Sequence, residues 1–133
     1  MKNNNLPIRS EVPAFLRGYL DAALFTTDVE PPSGQDYVQC GRTLEMYDRL
    51  PQYFVDQARI DCHKFNLACS KHLEKAGNDE QNGADYWHTR NGHGVGYWDR
   101  GYNDHLAEVL STAARATGSH DLCPDEIGQE GKE

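Results

Sequence analysis

The stretch that most constrains the fold is PQYFVDQARIDCHKFNLACSKHLEKAG, residues 51–77. Phe54, Ala58, Cys62, Phe65, Cys69 and Leu73 recur at steps of three and four, which places all six on one face of a helix. A strand would scatter them over both faces of a sheet. Pro51 suits a helix start, because the first turn leaves its amide positions unpaired anyway. Lys71 and Lys75 suit the carbonyl end, and Gly77 suits the stop. A stripe this long must be covered by other apolar faces, and the rest of the chain supplies them.

EVPAFLRGYLDAALFTTD brings Phe15, Leu16, Tyr19, Leu20, Ala23 and Leu24 to one side of a helix expected over 12–26, with Gly18 a weak point in it. NDEQNGADYWHTRNG predicts a shorter helix capped by Asn78 or Asp79 and closed by Gly92, again with an unfavourable internal glycine, Gly83. NDHLAEVLSTAARATG predicts a last helix with Leu106, Val109, Leu110 and Ala113 inward and Gly118 at its end. DVEPPSGQD, 28–36, reads as a loop, and RTLEMYDRL, 42–50, as a short helix. The expectation is an all-α fold, a single small bundle of about four main helices, with room for a minor strand pair near 37–40 or 119–123. Residues 1–10 read as a flexible arm, 11–123 as the domain, and 124–133 as an acidic mobile tail.

With 133 residues the chain is one domain's worth, able to hold a core without metals or disulfides. Its net charge is -8, which repels phosphate backbones and argues against direct nucleic-acid binding. MKNNNLPIRS carries no apolar signal region, and no apolar run approaches a membrane span. The expected location is the cytoplasm, and the four cysteines are expected to be reduced.

Chemistry concentrates in YWHTRNGHGVGYWDRG, residues 86–101, which holds both tryptophans and two of the six histidines. No metal is expected. Cys62 and Cys69 are seven residues apart, about 10 Å along a helix, too far for one ion with ~2.3 Å bonds. His88 and His93 pair better across a turn, with His105 or Asp99 as a third group, yet no motif specifies a metal there. Gly92, Gly94 and Gly96 could form an anion nest flanked by Arg90 and Arg100, although the spacing is neither of the familiar phosphate-loop patterns. No nucleophile motif or cooperating carboxylate pair is present, so no catalytic residue and no cofactor are assigned. A purely structural reading is also open. Tyr86, Trp87, Tyr97 and Trp98 would anchor a helix corner, and Arg90 would pair with Asp85 or Asp99. That reading leaves several polar heads without a task.

W-H-T-R-N-G-H-G-V-G-Y-W-D-R-G resembles a signature of small proteins encoded by tailed bacteriophages and their prophages, approximately FW-x-TRNGHG-x-G-FWDRG. FLRGYLDAALFTTD is similar to the opening helix of that group, and the resemblance spans most of residues 14–122. His88 stands where that group commonly has an aliphatic residue. The resemblance implies a phage origin and action in the bacterial cytoplasm, and implies no reaction. The expected function is a non-enzymatic binder that modulates a host protein, using His88, Arg90, Asn91, His93, Trp98, Asp99 and Arg100. The alternative is a nucleotide- or small-anion-binding domain, or a small enzyme, built on the same loop. A homo-oligomer held by exposed parts of the Tyr19 or Tyr102 faces is a third expectation.

Overall fold

The computed structural model describes residues 4–27 and 47–123. Four helices form the bundle: α1 (Ala14–Thr26), α2 (Gln52–Ala76), α3 (Asp79–Arg90) and α4 (Asp104–Ala116). Short 3-10 turns at Arg9–Glu11 and Tyr97–Arg100 precede α1 and α4. No strand occurs among the described residues, including 119–123. The strand expected at 37–40, most of the short helix expected at 42–50, and the tail from 124 lie outside the described residues.

The stripe of α2 is the spine of the core. Phe54, Ala58, Cys62, Phe65, Cys69 and Leu73 are all buried, so both cysteines act as packing groups. The helix departs from regular geometry at Cys69, where φ is -117° and ψ 19°. Over this stripe lie the aromatic rings of α1 and α3. Phe65 stacks on Tyr86 at 4.2 Å, and Tyr19 meets both Tyr86 and Trp87. Tyr19 is fully buried, which removes it as an oligomer surface.

The two glycines that looked like weak points in their helices are where α1 and α3 touch. A Cβ on Gly18 would lie 1.8 Å from the Glu80 carbonyl oxygen, and one on Gly83 1.9 Å from that of Phe15. The backbones meet there with no space for a side chain. α3 begins at Asn78, whose side chain accepts from the Gln81 amide at 2.9 Å. Asn82 is buried beside it and donates to the Leu73 and Gly77 carbonyls, closing the end of α2. Asn103 caps α4 by accepting from the Leu106 amide.

Two expectations change. The inward face of α4 is Leu106, Ala107, Leu110, Ser111 and Ala114, with Val109 and Ala113 half-buried. The face is rotated because α4 packs against both α2 and α3. The N-terminal arm is also seated from residue 4 onward. Leu6 is buried in the core, and Asn4 donates to the Tyr47 and Leu50 carbonyls at 2.9 and 2.8 Å. Arg9 pairs with Asp21 on α1.

Candidate functional site

The chain leaves α3 through Asn91 and Gly92, the latter at φ +73°, where a side chain would be strained. The Gly92 and His93 amides donate back to the Thr89 and His88 carbonyls, which closes the helix end. At Gly96 the Thr89 hydroxyl oxygen occupies the space a Cβ would need, 2.2 Å away. The Asp99 carboxylate then accepts from the Gly96 amide at 2.8 Å and ties the turn to itself. Tyr97 is fully buried and donates through its hydroxyl to the Asn82 carbonyl. The result is a tightly braced turn.

Arg90 was expected at the surface and is instead the centre of the core's polar network. Its side chain is only 3% exposed. Nη1 donates to Asp61 at 2.8 Å and to the Tyr19 hydroxyl at 3.0 Å, while Nε and Nη2 reach the Gly118 and Thr117 carbonyls. The guanidinium also lies over the Tyr86 ring, 5.1 Å from its centroid. One side chain thus ties α1, α2 and the segment after α4 to the end of α3. The expected Asp85 and Asp99 are not its partners. Asp85, fully buried, binds Arg100 through a two-pronged contact of 2.7 and 2.9 Å. That contact raises the Arg100 pKa, against the opposing effect of partial burial. Neither arginine flanks the glycines as an anion ligand.

The network continues to His120, which sequence reasoning passed over. Arginine can only donate, so Tyr19 accepts from Arg90 and has its one hydrogen left for His120 Nδ1, 2.6 Å away. A neutral His120 with its hydrogen on Nε2 fits this arrangement. Its pKa is lowered to about 4, first by burial and then by the Arg90 charge. The ring stacks on Phe54 at 4.3 Å, and the His120 amide donates to Asn91 Oδ1. Asn91 is a strut for the chain after α4, and its Nδ2 is engaged with the Trp87 carbonyl. Leu122 also tucks in, while Cys123 is exposed.

His88 and His93 do come together, with their Nδ1 atoms 3.2 Å apart. One imidazole must donate to the other. Burial, and then the neighbouring His93, lower the His88 pKa. The expected third group is not there: Asp99 serves the Gly96 amide, and the His105 ring neighbours His72 at 6.3 Å. Among the described residues no three His, Cys, Asp or Glu side chains gather as a metal site.

Asp99 and Arg100 are exposed on the polar side of the turn, and its outward apolar surface is small. Trp98 is 49% exposed and Val95 48%, with His93 exposed beside them. Beneath the turn, against α4, is a cavity of 320 Å³ lined by residues 92–99 together with Thr89, Ser111 and Arg115. Arg115 and Ser111 carried no signal in the sequence, since both sit on a helix face that reads as ordinary solvent and core positions. A larger open depression of 730 Å³ runs beside α1 and α3, where Arg9 and Asp21 already satisfy each other. No helix among the described residues is long and apolar enough to cross a membrane. Compared with known protein families, curated proteins and solved structures, the chain matches none.

Proposed function

We propose that this protein is a non-enzymatic binding module that docks a partner protein through the outward tip of the 92–98 turn. The observation that carries the reading is Trp98, half-exposed on a turn whose neighbours are fixed. Tyr97 before it is buried, and Asp99 after it is bonded into the turn. Tryptophan is among the side chains that most often dominate binding energy when a partner covers them. A braced turn loses little conformational freedom on binding, so more of the contact energy appears as affinity. Val95 and His93 widen the surface with an apolar and a titratable group. The expected set of seven binding residues shrinks accordingly. Trp98 and His93 stay as contact candidates, and His88 stays as their half-buried neighbour. Arg90, Asn91, Asp99 and Arg100 position the turn.

The resemblance to phage-encoded proteins supports a bacterial host protein as the partner, with the cytoplasm as the place of action. The net charge of -8 suits a partner with a basic face. The test is affinity capture from bacterial lysate with wild type beside Trp98→Ala and Val95→Ala, each confirmed as folded by circular dichroism. A specific protein held by wild type and lost from both variants supports the tip as the docking surface. The same protein retained by both variants removes it.

A further inference from the structure

The cavity under the glycine turn has a chemistry that a protruding tryptophan does not account for. Its α4 wall carries Ser111 and Arg115, four residues and about one helical turn apart. Ser111 is 1% exposed, and its hydroxyl has no hydrogen-bond partner among the described residues. A buried hydroxyl without a partner is costly, and native structures rarely leave one unless something else meets it. Arg115 is exposed and takes part in none of the ion pairs among the described residues. The opposite wall is the turn itself, where the Gly94 and Val95 amides form no hydrogen bond among the described residues. His93 lines the same space.

We propose that this cavity binds an oxyanion head group of the carboxylate or phosphate kind. Ser111 Oγ donates to one oxygen from the floor, and the Arg115 guanidinium supplies the counter-charge and up to two further donors. Asp99 also lines the cavity, and its carboxylate accepts from the Gly96 amide. The carbonyl end of α4 adds a weak negative potential, which Arg115 in the last turn offsets. In a chain with a net charge of -8, Arg115 sets a cation beside an unmet hydroxyl. The site uses α4 residues, and it stands whether or not Trp98 has a partner. It also replaces the earlier expectation that Arg90 and Arg100 would hold such a group.

The experiment is an amide-resolved NMR titration of the full chain with sodium phosphate and, separately, sodium acetate, at constant ionic strength set with sodium chloride. Saturable shifts confined to Gly94, Val95, Ser111 and Arg115 are expected. Saturation by either anion supports the site, and the preference between them assigns its class. Arg115→Gln should weaken binding roughly 10- to 100-fold, the loss of a charged hydrogen-bond donor. Ser111→Ala should weaken it roughly 2- to 10-fold. Arg115 is exposed, so its variant keeps the fold, and an unchanged melting temperature checks this. No saturable shift with either anion, or shifts that survive Arg115→Gln, would overturn the proposal.

Discussion

Arg90 and Trp98 belong to one short stretch, and the fold sends them in opposite directions. Arg90 lies inside, bonded to groups from α1, α2 and the chain after α4. Trp98 lies outside, on a turn that Asp99 and Tyr97 hold in place. Residue type alone would have placed them the other way, since arginine is among the least buried side chains and tryptophan among the more buried. The inversion shows that the stretch does two jobs. Its inward half is a clamp that seats the end of α3, and its outward half is what the clamp displays. If that division is right, substitutions in the two halves should separate cleanly into losses of stability and losses of binding.

The largest effect should come from where α3 is seated. Gly83→Ala would place a methyl group 1.9 Å from the Phe15 carbonyl oxygen, and neither backbone can yield without moving a helix. Overpacking of this kind should cost more than about 3 kcal/mol. Urea denaturation should show a collapse of stability or no folded state. Gly92→Ala sharpens the contrast, since open space surrounds that position and only its positive φ opposes a side chain. It should cost about 1–2 kcal/mol. Equal losses at the two glycines would mean that α1 and α3 do not meet backbone to backbone.

The clamp itself comes next. Arg90→Met keeps most of the side-chain volume and removes every polar tie, leaving Asp61 Oδ2 and the Tyr19 hydroxyl without the arginine as donor. Breaking a buried ion pair from one side costs about 3–5 kcal/mol. A loss below about 1 kcal/mol in urea denaturation would show the network to be dispensable, and the inward half would no longer be a clamp.

His120 reads the same clamp through pH. Its folded pKa is lowered to about 4 from an ordinary 6.5, so between those values the unfolded chain binds a proton that the folded chain refuses. Stability therefore falls as pH drops from 6.5 towards 4, and His120 contributes no further slope below that. Arg90 opposes the imidazolium from α3, while Asp61 and Asp121 partly favour it. With the half-exposed ring allowed for, the effect should be about 1–2 kcal/mol. Carboxylates titrate in the same window, so the measurement is the difference between wild type and His120→Gln. A difference that stays flat from pH 7 to pH 4 would place the imidazole outside the network.

Much of this arrangement was legible, and the parts that were not have a common cause. The α2 stripe could be read because periodicity is local, and all six of its residues are buried. Gly18 and Gly83 were read as defects because helix propensity is also local, whereas their purpose is a contact between helices distant in sequence. Arg90 could not be assigned inward, because its carboxylate partner, Asp61, lies on another helix and a closer acid, Asp85, was available. Leu6 was hidden because the few apolar residues of the arm follow no helical or strand period. Ser111 and Arg115 carry no pattern at all, and only the cavity brings them to the glycine turn.

Ser111→Ala tests the boundary between the two halves with a change of opposite sign. The hydroxyl is buried without a partner, so its removal should relieve a cost rather than create one. A gain of about 1 kcal/mol in phosphate-free buffer is expected. A loss of that size would show that the hydroxyl is already satisfied.

The smallest stability effect should be at Trp98. Its ring is half in solvent, and exposed substitutions away from caps, networks and cavities in the core usually change stability by about 0.5 kcal/mol or less. Trp98→Ala should therefore melt close to wild type, while partner affinity falls by about 2 kcal/mol or more, roughly 30-fold. The comparison with Arg90→Met is then complete. The arginine variant should lose stability and, with it, the shape of the turn; the tryptophan variant should keep the turn and lose what the turn presents. If Trp98→Ala costs as much stability as Arg90→Met, the tip is packing rather than display, and the outward half collapses into the inward one.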